Sequence, residues 1–203
     1  MRQTDSVRSN RKAIFNLTLT ALFAAFTAAG TFISIPLPFS PVPIVLQNLF
    51  AMLSGLVLGP VPGSGAVALY LVAGAIGLPV FAGASGGPVH LIGPTGGFLF
   101  GYLLSAFTAG LIAGKPCTGK KSPLWRLILA SAAGMLIVYV PGVIRLKFAL
   151  DSDWAGALAA GFFPFLIGDL IKTVSAVIIA ARLRPLLAER LGETGEIFRS
   201  SNV

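Results

Sequence analysis

The sequence predicts an all-α integral membrane protein with six transmembrane helices and both termini in the cytoplasm. Three observations lead there. The 203 residues are 55% apolar and only 11% charged, with a mean hydropathy of +0.87, too little charge to cover a water-soluble surface. Six apolar stretches approach the roughly 20 residues that one bilayer crossing needs. Twelve of the fifteen Lys and Arg residues cluster at the ends of those stretches. That is the pattern of cytoplasmic loops and not of a phosphate-binding stripe, so no nucleic acid partner is expected despite the net charge of +8.

The basic segment 1–12 carries Arg2, Arg8, Arg11 and Lys12. The apolar run 13–33 behind it is too long for a signal-peptide core and reads as a retained first helix. Its alanines recur at four-residue intervals, Ala21 with Ala25 and Ala24 with Ala28. Small residues so spaced let two helices approach closely, either within the bundle or against another membrane subunit. Pro36, Pro38, Pro41 and Pro43 then read as a stiff connector into the second span, 42–59. A short uncharged PVPG loop leads to the third span, 64–80. The Gly-rich stretch between the third and fourth spans reads as a lid or cap over an outward-facing pocket, because irregular backbone at membrane depth survives only where it is buried or lines a cavity.

The fourth span, 96–114, and the fifth, 124–144, flank a loop with Lys115, Lys120 and Lys121. An even number of crossings puts both termini on that basic side, the cytoplasmic one of the inner membrane. Arg145 and Lys147 fall outside, offset by Asp151 and Asp153. The sixth span, 155–181, leads into a polar tail, 182–203. The chain thus divides into a basic terminus (1–12), a six-helix domain surrounded by membrane lipid (13–181) and a cytoplasmic tail.

The sixth span holds the chemistry. Asp169 and Lys172 stand near the middle of GFFPFLIGDLIKTVSAVIIAARLR, where charge is costly and generally functional. Three residues apart, they share one helix face. Gln47 and Asn48 in the second span add amides, and Tyr139 in the fifth adds a hydroxyl. Apolar walls with a few convergent polar groups describe a small-ligand pocket. Other chemistries find too few residues. Cys117 and His90 are each the only residue of their type, which excludes a cysteine or multi-histidine metal site. The run 114–121, GKPCTGKK, lacks the Ser or Thr of a nucleotide-binding loop and follows no strand. GASG, 83–86, resembles an intramembrane protease serine motif, but His90 lies in the same loop instead of on another helix. Asp169 is the only carboxylate within a span, so an aspartyl dyad is not available. No enzyme and no cofactor are expected.

Four ordered blocks carry a family resemblance: PVPIVLQNLFAMLSGLVLGP, ALYLVAGAIGLPVFAGASGG, GPTGGFLFGYLLSAF and FFPFLIGDLIK. The sequence resembles the BioY family, the biotin-binding substrate-specific components of energy-coupling-factor (ECF) transporters. The resemblance implies a bundle that captures biotin with high affinity, working with a transmembrane coupling (T) subunit and ATP-binding cassette ATPases. It implies ligand contacts from Asp169 and Lys172, the latter pairing with the ligand's carboxylate or holding Asp169. It implies further ligand contacts from Gln47 and from the loop 83–97, including Gly86, His90 and Gly97. Ala21 and Ala25 match the family's docking face for the coupling subunit. Two readings compete with this one: a stand-alone proton-coupled carrier, and a serine hydrolase acting through Ser85.

Overall fold

The computed structural model describes residues 2–116 and 122–196. Cys117, Lys120 and Lys121 lie outside the described residues, as do most of the GKPCTGKK run and the last seven positions of the tail. The helix α1 (Arg2–Ala29) leads into a two-stranded hairpin, β1 (Ser34–Leu37) and β2 (Ser40–Val45). Helices α2 (Gln47–Leu58), α3 (Pro60–Ala75), the single turn α4 (Val89–Ile92), α5 (Gly96–Ala113) and α6 (Leu124–Ala149) follow. Helix α7 (Trp154–Gly161), a 3-10 turn (Phe163–Phe165) and the long α8 (Leu166–Glu196) complete the chain.

The fold is mostly helical, but the expectation of an all-α chain is corrected by the hairpin. Proline fixes φ and removes a backbone donor, which keeps residues 36–43 extended. The strands pair Ser34 with Val45 and Ile35 with Ile44, and the register slips between Ile35 and Leu37, at Pro36, which cannot donate to the ladder. The second helix therefore starts at Gln47 and not at position 42. Gly59, at φ +87°, turns the chain sharply from α2 into α3 in a conformation that costs glycine little. Pro60 then occupies the first helical turn, where its missing N–H is no loss, so PVPG begins α3 instead of forming a loop.

Among the described residues, three helical segments are long and apolar enough to cross a membrane: Gly96–Ala113, Leu124–Ala149 and Trp154–Arg190. Ala13–Ala29, Gln47–Leu58 and Pro60–Ala75 are shorter apolar helices. The last of the long segments is not one continuous helix. Phe162 leaves helical geometry (φ −131°, ψ −64°) just ahead of Pro164. Asp169 consequently sits in the first turn of α8, not in the middle of a span, and the boundaries expected at 12/13 and 181/182 fall inside α1 and α8.

Helices α5 and α6 pack most extensively, and α2 lies against α5, α3, α1 and α8. Close approach depends on glycine. A Cβ on Gly55 of α2 would come within 1.9 Å of the Ala106 carbonyl oxygen of α5. The same end of the bundle is tied by Arg184, only 3% exposed. Its guanidinium donates to the carbonyls of Leu56, Ala113 and Gly114 and to Ser122 Oγ. These carbonyls belong to the last turns of α2 and α5, which have no intrahelical donors of their own.

Candidate functional site

At the opposite end, three helices bring four polar side chains together. Asp169 is buried in the first turn of α8, where the positive end of the helix dipole favours a carboxylate. Its Oδ1 accepts from Lys172 Nζ at 2.9 Å and from Asn48 Nδ2 at 3.0 Å. Its Oδ2 accepts from the Tyr139 hydroxyl. Asn48 comes from the start of α2 and Tyr139 from the middle of α6. The Tyr139 ring is held edge-on by Phe98 at 6.4 Å and by Phe162 at 4.7 Å. The break at Phe162 thus both ends α7 and supplies a wall for Tyr139.

A hollow of about 20 Å³ lies against Asp169, Lys172, Asn48 and Tyr139. It shares Val42, Pro43, Val45, Phe98 and Tyr102 with a cavity of about 400 Å³ lined by the hairpin, the loop after α3 and the start of α5. The larger space falls within the ~300–1,000 Å³ typical of small-ligand pockets. The hairpin is pinned over it by Ser40, whose hydroxyl donates to the Ala160 carbonyl of α7 at 2.7 Å. Arg145 of α6 secures the other cover, donating to the Ile92 and Gly93 carbonyls at the end of α4.

A carboxylate has about four acceptor positions. Three are taken here, which leaves Asp169 room for one more donor rather than two. Lys172 holds the acid in place. Because these groups satisfy one another, the pair tolerates low exposure, and it borders the hollow while bonding to α2 and α6.

The other expected site residues divide. His90 borders the large cavity, its ring 6.0 Å from that of Phe81. Gln47 also lines it, but its amide nitrogen is spent on Thr31 Oγ1 and on the Val80 carbonyl at 3.1 Å. It stitches the end of α1 to the loop after α3. Gly86 and Gly97 border neither space. A Cβ on Gly86 would meet the Leu78 carbonyl at 2.4 Å, and one on Gly97 the Pro141 carbonyl at 2.1 Å. Both serve close backbone packing. Ala21 and Ala25 are exposed on α1, whereas Ala24 is buried and Ala28 packs against the core. The second alanine pair therefore faces inward. Ser85 donates to the Ala82 carbonyl, and no base reaches it among the described residues.

Sequence reasoning missed Tyr102. It is 6% exposed, lines both spaces, and its hydroxyl makes no hydrogen bond among the described residues. The signal was present: Phe98 and Tyr102 stand four apart, on one face of an otherwise apolar helix.

The BioY family profile matches residues 2–189. The biotin transporter BioY of Thermotoga maritima is 47% identical over 169 residues, covering 83% of this chain and 95% of that protein. A probable biotin transporter BioY of Pyrococcus horikoshii is 40% identical, with 83% and 95% covered. The crystal structure of the S-component for biotin from an ECF-type ABC transporter superposes with a TM-score of 0.70 at 30% identity, covering 86% of this chain and 93% of that one. With the fold, the ordered blocks and these likenesses in agreement, the chain belongs to the BioY family.

Proposed function

We propose that this protein captures biotin and takes it up across the cytoplasmic membrane as the substrate-binding subunit of an ECF-type transporter. The observation that carries the reading is Asp169. It is a buried carboxylate ordered by Lys172, Asn48 and Tyr139 in a small hollow that adjoins the larger cavity, in a chain whose relatives are named biotin transporters. The ureido ring of biotin presents N–H donors and a carbonyl acceptor on an apolar bicycle. One N–H fills the remaining acceptor position of Asp169. The unpartnered Tyr102 hydroxyl donates to the ureido oxygen, and Phe98 and Val45 cover the ring. The acid orients ligand and undergoes no reaction, so the subunit is a transporter component and not an enzyme.

Six crossings with both termini in the cytoplasm fit the helix inventory. Lys115, Arg126 and Arg184 lie at the end of the bundle away from the hairpin, and the hairpin and its cavity then face outward. We read residues 13–181 as the membrane domain and assign 1–12 and 182–203 to the cytoplasmic side, with Arg184 at their junction still packed into the bundle. The outward faces of α6 and α8, with Leu136, Val140, Ile171 and Val174 exposed, contact lipid. The exposed pair Ala21 and Ala25 offers the close-packing seam for the coupling subunit, which carries the ATPases that energise uptake.

Purified protein titrated with biotin is expected to bind one molecule per chain. Proteoliposomes then separate the two transport readings. Uptake that needs the coupling subunit, the ATPases and ATP supports the subunit assignment. Uptake by this chain alone, following a pH gradient, replaces it with a stand-alone carrier.

A further inference from the structure

We infer that Phe162 is a positioning residue of this site: it fixes the Tyr139–Asp169 hydrogen bond from outside the ligand's space and ties that bond to the contact holding the hairpin shut. This rests on the biotin reading above and adds to it a residue that the ligand never touches.

Tyr139 and Asp169 come from different helices, so their bond is only as well placed as the two segments that carry them. Phe162 meets both. Its ring stands edge-on to the Tyr139 ring, 4.7 Å between centroids at 78°, within the range in which aromatic pairs attract. Its carbonyl accepts from the Phe165 N–H at 3.1 Å, which closes the 3-10 turn leading into α8. Asp169 follows in the first turn of that helix. Phe162 thus sets the donor through its side chain and the acceptor through its backbone. Phe98, the other ring against Tyr139, stands farther off at 6.4 Å and lines both hollows, so ligand bears on it directly. Phe162 lines neither.

The same residue connects to the cover. Ala160 lies in the last turn of α7, where carbonyls lack donors inside the helix. Its carbonyl takes a donor from the hairpin, the Ser40 hydroxyl at 2.7 Å, and Ser40 Oγ in turn accepts from the Val42 N–H at 3.1 Å. Just beyond Ala160 the chain leaves helical geometry at Phe162. Gly161 between them presses on α6: a Cβ there would come within 2.6 Å of Leu146 Cδ2. With the end of α7 seated this closely there is little slack between Ala160 and Phe162, and a shift of the hairpin carries over to the Tyr139 ring. Groups that share backbone and packing partners in this way do not contribute independently. Closing the hairpin and ordering the acid therefore favour each other, and by reciprocity a ligand held at Asp169 tightens the hairpin.

Biotin affinity by calorimetry and biotin release by stopped-flow displacement test this on the purified full-length protein, in single and double variants. Phe162→Leu, which keeps the apolar bulk and removes the ring, is expected to weaken binding about three- to tenfold. Phe162→Tyr, which keeps the ring, is expected to bind as the unaltered protein does. In a Tyr139→Phe background, Phe162→Leu is expected to cost less than about twofold further. Ser40→Ala is expected to speed release in the unaltered protein, and by less than about twofold once Phe162→Leu is present. Unchanged affinity in a folded Phe162→Leu protein would overturn the inference. So would the full loss recurring in the Tyr139→Phe background, the mark of a residue that only stabilises the fold. A Ser40→Ala effect of equal size with and without Phe162→Leu would overturn the tie to the hairpin. If Phe162→Leu does not fold, Phe162→Met takes its place in the same cycles. Absence of biotin binding by the unaltered protein would overturn the functional reading itself, a result distinct from these.

Discussion

The two ends of the bundle solve opposite problems with the same few residue types. At the Arg184 end, glycine and alanine bring α2, α3 and α5 into backbone contact, and one buried guanidinium gathers the carbonyls that end two helices. At the hairpin end, helices stop early or break, proline keeps the chain extended, and the space left over is hollow. Close packing makes the first end resistant to deformation. That rigidity lets the second end hold an open cavity and a buried charge without collapsing around them. Position along the helices, more than composition, therefore separates scaffold from site.

Substitutions at the two ends should part company in what they change. The largest effect is expected from Lys172→Met, which strands the Asp169 carboxylate. Breaking a buried pair in this way costs roughly 3–5 kcal/mol, read as a lower thermal midpoint together with lost biotin binding. Gly55→Val probes the scaffold, where overpacking costs about 1–3 kcal/mol. Its midpoint should fall while the folded fraction binds biotin as before, and a changed dissociation constant would show that the ends are not separable. Tyr139→Phe removes one charge-assisted hydrogen bond to the buried Asp169 carboxylate, and stability should drop by about 1.5–3 kcal/mol, with biotin binding weakened because the acid is less firmly oriented. Ser40→Ala releases the hairpin from Ala160. The smallest change is expected here, about 0.5–1.5 kcal/mol, seen chiefly as faster biotin release in a stopped-flow displacement experiment.

Much of the site was legible before the structure, because a charged pair in an apolar run has few bland explanations. Asp169, Lys172, Asn48 and Tyr139 do converge. Their setting was not legible. The break at Phe162 is invisible to hydropathy, since FFPF is as apolar as the helices on either side, and only Pro164 hinted at it. The hairpin hid for a related reason: four prolines look like a connector until strand pairing across Pro36 is seen. Gly86 and Gly97 show the limit of reading glycine from sequence. Conformational freedom and close packing call for the same residue, and only the Leu78 and Pro141 carbonyls decide between them. Tyr102 was overlooked because its four-residue spacing from Phe98 marks a shared helix face without showing that this face borders two hollows.

The central claim is that the Asp169 carboxylate serves the ligand and does not merely fasten α8 to α2 and α6. Biotin titrated into purified Asp169→Asn, which keeps the shape of the side chain and removes its charge, tests this most directly. A loss of roughly 2–5 kcal/mol in binding free energy with a retained fold is predicted. Undiminished affinity in a folded Asp169→Asn protein would contradict it.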